Sequence, residues 1–218
     1  MLRAPQGLAR ALTALLSVSG LVNLISAGVG LHRWSLARDL IDGPASAGDD
    51  TLRQASTLAT MVGSFQVLSL AATGVVFLIW FHRVRTNGQV FRPDGFSQSS
   101  GWAIGAWFVP LGNVYLPYRI AKETWRASVR RAADSSRPHV STAPVTAWWL
   151  VWVVSTLCDS AVEQLYKRAD TPEGLAVASS SSAFSDLLTV AAAVLAIVFV
   201  RRLTALQHAR VTGLPTAR

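Results

Sequence analysis

Charge is what this 218-residue sequence most lacks: Asp, Glu, Lys and Arg make up 15% of it, against about 25% in a soluble domain. The hydrophobic share is 51% and the mean hydropathy +0.36. The apolar residues are bunched, with no charged side chain from Ala11 to His32, Gln54 to His82, Gly95 to Tyr118 or Pro138 to Cys158. Stretches of roughly 20 such residues are what a bilayer crossing needs. They leave no room for a separate soluble catalytic domain of about 100 residues. A single cysteine, Cys158, excludes an internal disulfide framework and a multi-thiolate metal site. The four histidines lie far apart, without the spacings of a zinc site, so no metal or cofactor is expected. Only two of the 20 basic residues are lysine, Lys122 and Lys167, and Ala, Val and Leu dominate the apolar set, which points to GC-rich bacterial coding. In so apolar a chain the net charge of +8 reads as orientation and lipid contact, not nucleic-acid binding.

Four spans are expected, at about 11–31, 55–81, 142–162 and 178–200, in an all-α, polytopic fold that forms one integral-membrane domain. The first is too long for a signal-peptide core, and no small-residue cleavage site follows it. The stretch 101–118, GWAIGAWFVPLGNVYLPY, is different. Pro110 and Pro117 each remove a backbone donor, and Gly112 and Asn113 lie between them, so a straight spanning helix is disfavoured. Basic residues exceed acidic ones in both tails and in connections 82–100 and 119–140, whereas connections 32–53 and 159–186 are net acidic. Cytoplasmic loops are enriched in Lys and Arg. If 101–118 enters and leaves on one side, every basic segment falls inside and both acidic ones outside. The expected topology therefore has both termini cytoplasmic in a cell membrane, with a Pro/Trp-rich re-entrant or interfacial segment between the second and third spans. A fifth crossing through 101–118 is the alternative.

After Pro117 the apolar residues Tyr118, Ala121, Trp125, Val129 and Ala132 recur at spacings of three and four, while Arg119, Lys122, Glu123, Arg126, Arg130 and Arg131 fall mainly on other faces. This predicts a basic amphipathic helix over 118–134. Such a helix lies at the interface with its apolar face down and its cations toward anionic headgroups. In this topology seven of the eight tryptophans, all but Trp34, belong to the inner side, forming a platform there or anchoring helix ends.

The residues FLIWFHRVRTN (77–87), GWAIGAWFVPLGNVYLPYRIAKETWRAS (101–128) and RRLTALQHAR (201–210) resemble a family of small bacterial integral-membrane proteins named domain of unknown function 4328. The separations of Trp102, Trp107, Pro110, Asn113, Pro117 and Trp125 carry most of that likeness, which extends from the first span to the C-terminal tail. The resemblance implies the membrane topology and no reaction.

Few groups suit catalysis, and no enzyme is expected. Asp186 is expected among the outer headgroups, with the last span starting near Leu187; its alternative is an intramembrane proton or cation site. Asp159 and Glu163 read as solvated. Asn23 and Gln66 are expected to bond across helices, and Asn113 to bridge backbone carbonyls freed by the prolines or to line a polar vestibule. Gly28, Gly30, Gly63 and Ala191–Ala193 would allow close helix approach in a compact bundle or a homo-oligomer. The leading expectation is a lipid- or partner-binding membrane component whose candidate motif is Trp102, Trp107, Pro110, Asn113, Pro117 and Trp125. Arg119, Lys122, Arg126, Arg130 and Arg131 would meet anionic lipids or a membrane-protein partner. The alternative is a small oligomeric channel or transporter component that uses the broken 110–117 segment.

Overall fold

The computed structural model describes residues 4–43, 49–129 and 141–212. Four long helices dominate: α1 (Gln6–Asp42), α2 (Asp49–Phe91), α5 (Ala143–Lys167) and α6 (Pro172–Thr212). All four are long and apolar enough to cross a membrane. Each covers one of the expected spans to within a residue and runs beyond it, because polar residues at helix ends continue the hydrogen-bond ladder without needing hydrocarbon around them. The start of α6 shows the local chemistry. The Thr171 hydroxyl accepts from the Gly174 N–H (3.1 Å), Pro172 fills the first helical position and Glu173 places a negative charge in the first turn.

Between α2 and α5 lie two short helices, α3 (Trp102–Gly105) and α4 (Leu116–Ser128), with 3-10 turns at Pro93–Gly95 and Gly112–Val114. At 1.5 Å per residue the four residues of α3 rise about 6 Å, against about 30 Å of hydrocarbon. The expected break at Pro110 to Pro117 is therefore present. Of the stretch expected to form the amphipathic helix, α4 runs to Ser128 and Val129 is extended. Arg130, Arg131 and Ala132, with the rest of 130–134, lie outside the described residues.

The chain divides into two compact units. The first comprises Met1–Leu16, Ala72–Trp149 and Leu195–Arg218 and has an aromatic core that includes Trp80, Phe81, Trp125, Trp148 and Phe199. The second comprises Ser17–Ala71 and Leu150–Val194. Within the second, Gly30 lets α1 meet α6: a Cβ there would stand 3.1 Å from the Ser179 carbonyl oxygen and 3.3 Å from the Ala183 Cβ. Gly28 and Gly63 meet nothing within 4 Å, so close approach is confined to one of the three glycines expected to provide it.

Asp186 lies well inside α6 and is only 6% exposed. The serines around it do not break the helix because their hydroxyls are used: Ser179 accepts from the Tyr166 phenol (3.4 Å), Ser180 donates to the Val177 carbonyl (3.1 Å) and Ser185 donates to Asp159 Oδ1 (2.5 Å).

Candidate functional site

In the first unit, rings from five segments pack together. Trp148 stacks on Phe199 with centroids 4.7 Å apart, and Phe199 meets Trp80 edge-on at 5.6 Å and Trp125 face-on at 6.2 Å. Phe77 stacks on Phe81 and receives Trp107 edge-on, each at 5.5 Å. Tyr118 stacks on Trp149 at 6.1 Å. Such pairs contribute about 0.5–1.5 kcal/mol each beyond simple burial. Three of their polar ends are paired: Trp80 Nε1 donates to Thr204 (3.2 Å), Trp149 Nε1 to the Val114 carbonyl (3.0 Å), and the Tyr118 hydroxyl bonds Thr146 (3.0 Å).

This packing turns the apolar face of α4 inward, onto its own chain. Trp125 is 2% exposed against Phe199, and Ile120, Ala121 and Ala127 are buried with it. Inside one protein, two apolar faces remove each other from solvent, so α4 is held by its own chain. What remains outward is basic. Arg119 and Arg126 are exposed, Arg119 pairs with Glu123 (3.2 Å), and Lys122 lies 5.0 Å over the Tyr118 ring.

Two side chains of α6 organise the helix ends. Arg210 donates to the carbonyls of Ala127, Val129 (2.9 Å) and Phe91 (3.0 Å), so one guanidinium serves the C-termini of α4 and α2 together. Terminal carbonyls lack intrahelical donors and form the negative end of the helix dipole, which a cation satisfies. That capture, with Thr124 and Ser128 hydroxyls bonded back along the helix (both 2.8 Å), ends α4 at Ser128. Gln207, 2% exposed, donates to the Val84 carbonyl (2.8 Å) and Ser128 (3.1 Å) and accepts from Asn87 (3.2 Å). Arg85 is fully buried, its guanidinium 3.5 Å from the centre of the Phe96 ring.

The broken segment turns an apolar edge outward. Leu111 is 91% exposed and Phe108 71%, with Val114 and Tyr115 also exposed. Leu111 has φ 61° and ψ −36°, and the Gly112 N–H donates to the Pro110 carbonyl at 2.6 Å. Together these make a γ-turn of the rare, strained hand. Gly112 is required beside it, since a Cβ would approach Val109 Cγ1 to 2.9 Å. The Asn113 N–H donates to the Val109 carbonyl (2.9 Å), but its side chain bridges nothing among the described residues, contrary to expectation. The carbonyls of 109, 110 and 114 are satisfied by backbone N–H groups and the Trp149 indole.

Of the six candidate motif residues, Trp107, Pro117 and Trp125 serve the packed interior, whereas Trp102, Pro110 and Asn113 are exposed. Sequence reasoning missed Phe77, Phe81 and Phe199 as ring partners and Arg210 as a double cap. The last had a signal: Leu203, Gln207 and Arg210, spaced four and three apart, share a helix face.

The second unit holds a polar cluster. Asn23 Nδ2 donates to the Ser19 carbonyl (2.8 Å), which turns its Oδ1 toward Gln66. Gln66 Nε2 then donates both to that oxygen (3.0 Å) and to Asp186 Oδ1 (2.8 Å). The expected interhelical bonding of Asn23 and Gln66 is therefore present, with Asp186 as an added member. Among the described residues no three His, Cys, Asp or Glu side chains come together.

Four helices long and apolar enough to cross a membrane, with a broken and a basic segment between the second and the third, mark a multi-pass helical membrane protein. Within that class the chain belongs to the family described as Domain of unknown function (DUF4328), which matches residues 44–205. The matched stretch begins after α1, so it is shorter at that end than the resemblance suggested. No curated protein and no solved structure matches the chain.

Proposed function

We propose that this is a non-enzymatic component of the bacterial cell membrane, with both termini in the cytoplasm, that contacts lipid through the broken segment and α4. The observation that carries the reading is Leu111. A leucine 91% exposed in a strained γ-turn, flanked by exposed Phe108, Val114 and Tyr115, is an apolar tip held outward by a packed base. Burying such residues in lipid recovers about 25 cal/mol per Å2. Arg119, Lys122 and Arg126 adjoin this segment in sequence and offer positive charge to anionic headgroups, each worth about 1 kcal/mol near the surface. The segment dips into the inner leaflet and returns, which keeps every basic connection inside. The anchoring differs from an ordinary amphipathic helix, because the tip, and not the apolar face of α4, enters the lipid.

The conduit reading is weaker at 110–117, since the carbonyls of Pro110, Leu111, Gly112, Val114 and Tyr115 are already paired. The test is a polarity-sensitive fluorophore on Leu111→Cys in a Cys158→Ser background, with the full chain in nanodiscs. A quencher carried on lipid tails should dim a label at Leu111 and spare one at Arg92. Quenching of the Leu111 label only from water would sink the proposal.

A further inference from the structure

The first unit contains a groove of about 580 Å3 between the start of α1 and the end of α6. Its wall carries Arg10, Arg201 and His208, and residues 1–16 and 195–218 contain no Asp or Glu to neutralise them. Arg10 and Arg201 are exposed and make no hydrogen bond or ion pair among the described residues, unlike Arg210, which is fully engaged. Their positions in the sequence set their level. Arg10 is the last charge before the apolar run that starts at Ala11, and Arg201 is the first after the run that ends at Val200. With those runs taken as membrane-embedded, both residues fall where hydrocarbon gives way to headgroups.

The other donors are also arranged. Gln6 Nε2 donates to His208 Nδ1 at 2.8 Å, which leaves Nε2 as the nitrogen that carries hydrogen. Thr204 accepts from Trp80 Nε1 and keeps its hydroxyl proton to donate, so the aromatic core sets one wall of the groove. Alanines, among them Ala9 and Ala205, line it without blocking it. Two unpaired guanidiniums, an imidazole N–H and a hydroxyl match a phosphate diester: planar, bidentate donors for its oxygens and no competing acid. Basic pockets between membrane helices hold anionic headgroups in this way.

We infer that the groove lined by Arg10, Arg201 and His208 binds the phosphate of an anionic phospholipid headgroup. The inference rests on the proposed lipid contact only in taking the apolar runs as membrane-embedded; it uses neither α4 nor the Leu111 tip.

The full chain, purified with phosphatidylglycerol and phosphatidylcholine, would be assayed for retained lipid by native mass spectrometry. Wild type should retain phosphatidylglycerol preferentially. Arg10→Gln/Arg201→Gln should weaken that retention by roughly tenfold or more, and Arg10→Lys/Arg201→Lys should restore part of it. Arg168→Gln, at an exposed arginine outside the groove, should keep it. Because Arg10 and Arg201 make no hydrogen bond or ion pair among the described residues, the double Gln variant should unfold at the wild-type temperature. Unchanged retention in that variant, equal retention of the two lipids, or displacement of the lipid by inorganic phosphate would overturn the inference. If groove retention survives while the Leu111 label stays in water, the groove stands and the proposed tip falls; the reverse pair separates them the other way.

Discussion

At the residue scale, the orientation of one amide decides how a buried acid is held. The Ser19 carbonyl can only accept, so Asn23 presents its NH2 there and its oxygen to Gln66, and Gln66 must present its NH2 to Asp186. Gln66→Leu removes the donor for two acceptors at once and should cost about 1–3 kcal/mol, the usual penalty for stranding a buried polar group. Replacing Asp186 with Leu as well should recover part of that loss, because no stranded carboxyl remains. Equilibrium unfolding in mixed micelles would show this non-additivity, and strictly additive losses would contradict it. Leu111 gives a second case. Leu111→Gly should raise stability by up to about 1 kcal/mol by relieving the γ-turn. It should also weaken lipid contact at the tip, so thermal unfolding and lipid-tail quenching of a label at Phe108→Cys should move in opposite directions.

At the element scale, α4 is defined by what caps it. Its turns form from local sequence, but its end at Ser128 belongs to Arg210, which also closes α2. Arg210→Met keeps the stem and removes the fork, leaving three carbonyls without their donor. The expected cost is about 2 kcal/mol or more, with faster hydrogen exchange at the last turns of both helices. Exchange confined to one of them would refute the shared cap. The same element shows why amphipathicity is ambiguous: the pattern of Tyr118, Ala121 and Trp125 was legible, but whether that face meets lipid or Phe199 depends on a residue more than 70 positions away.

At the scale of the whole molecule, threading is the main expectation. With Cys158 changed to Ser and a single cysteine at Asp134, a membrane-impermeant maleimide should label permeabilised cells and spare intact ones. Labelling of intact cells would place the 119–140 connection outside and make 101–118 a crossing. Four long helices, the break at Pro110 to Pro117 and the family itself are all legible in the order of the residues, since each rests on composition, proline chemistry or a local pattern.

The sequence by itself determined how many long apolar helices form, where the chain is broken and where positive charge gathers, because those properties follow from residues within a few turns of one another. Tertiary structure alone decided that Asp186 lies inside a helix cluster, that Trp125 packs inward, that Arg210 closes two helices and that Arg10 and Arg201 line one groove. Each of these depends on contacts between residues tens to hundreds of positions apart. An apolar face, a carboxylate or a guanidinium has the same local signature whether its partner is lipid, water or a distant part of the same chain. Only the packed fold selects among those partners.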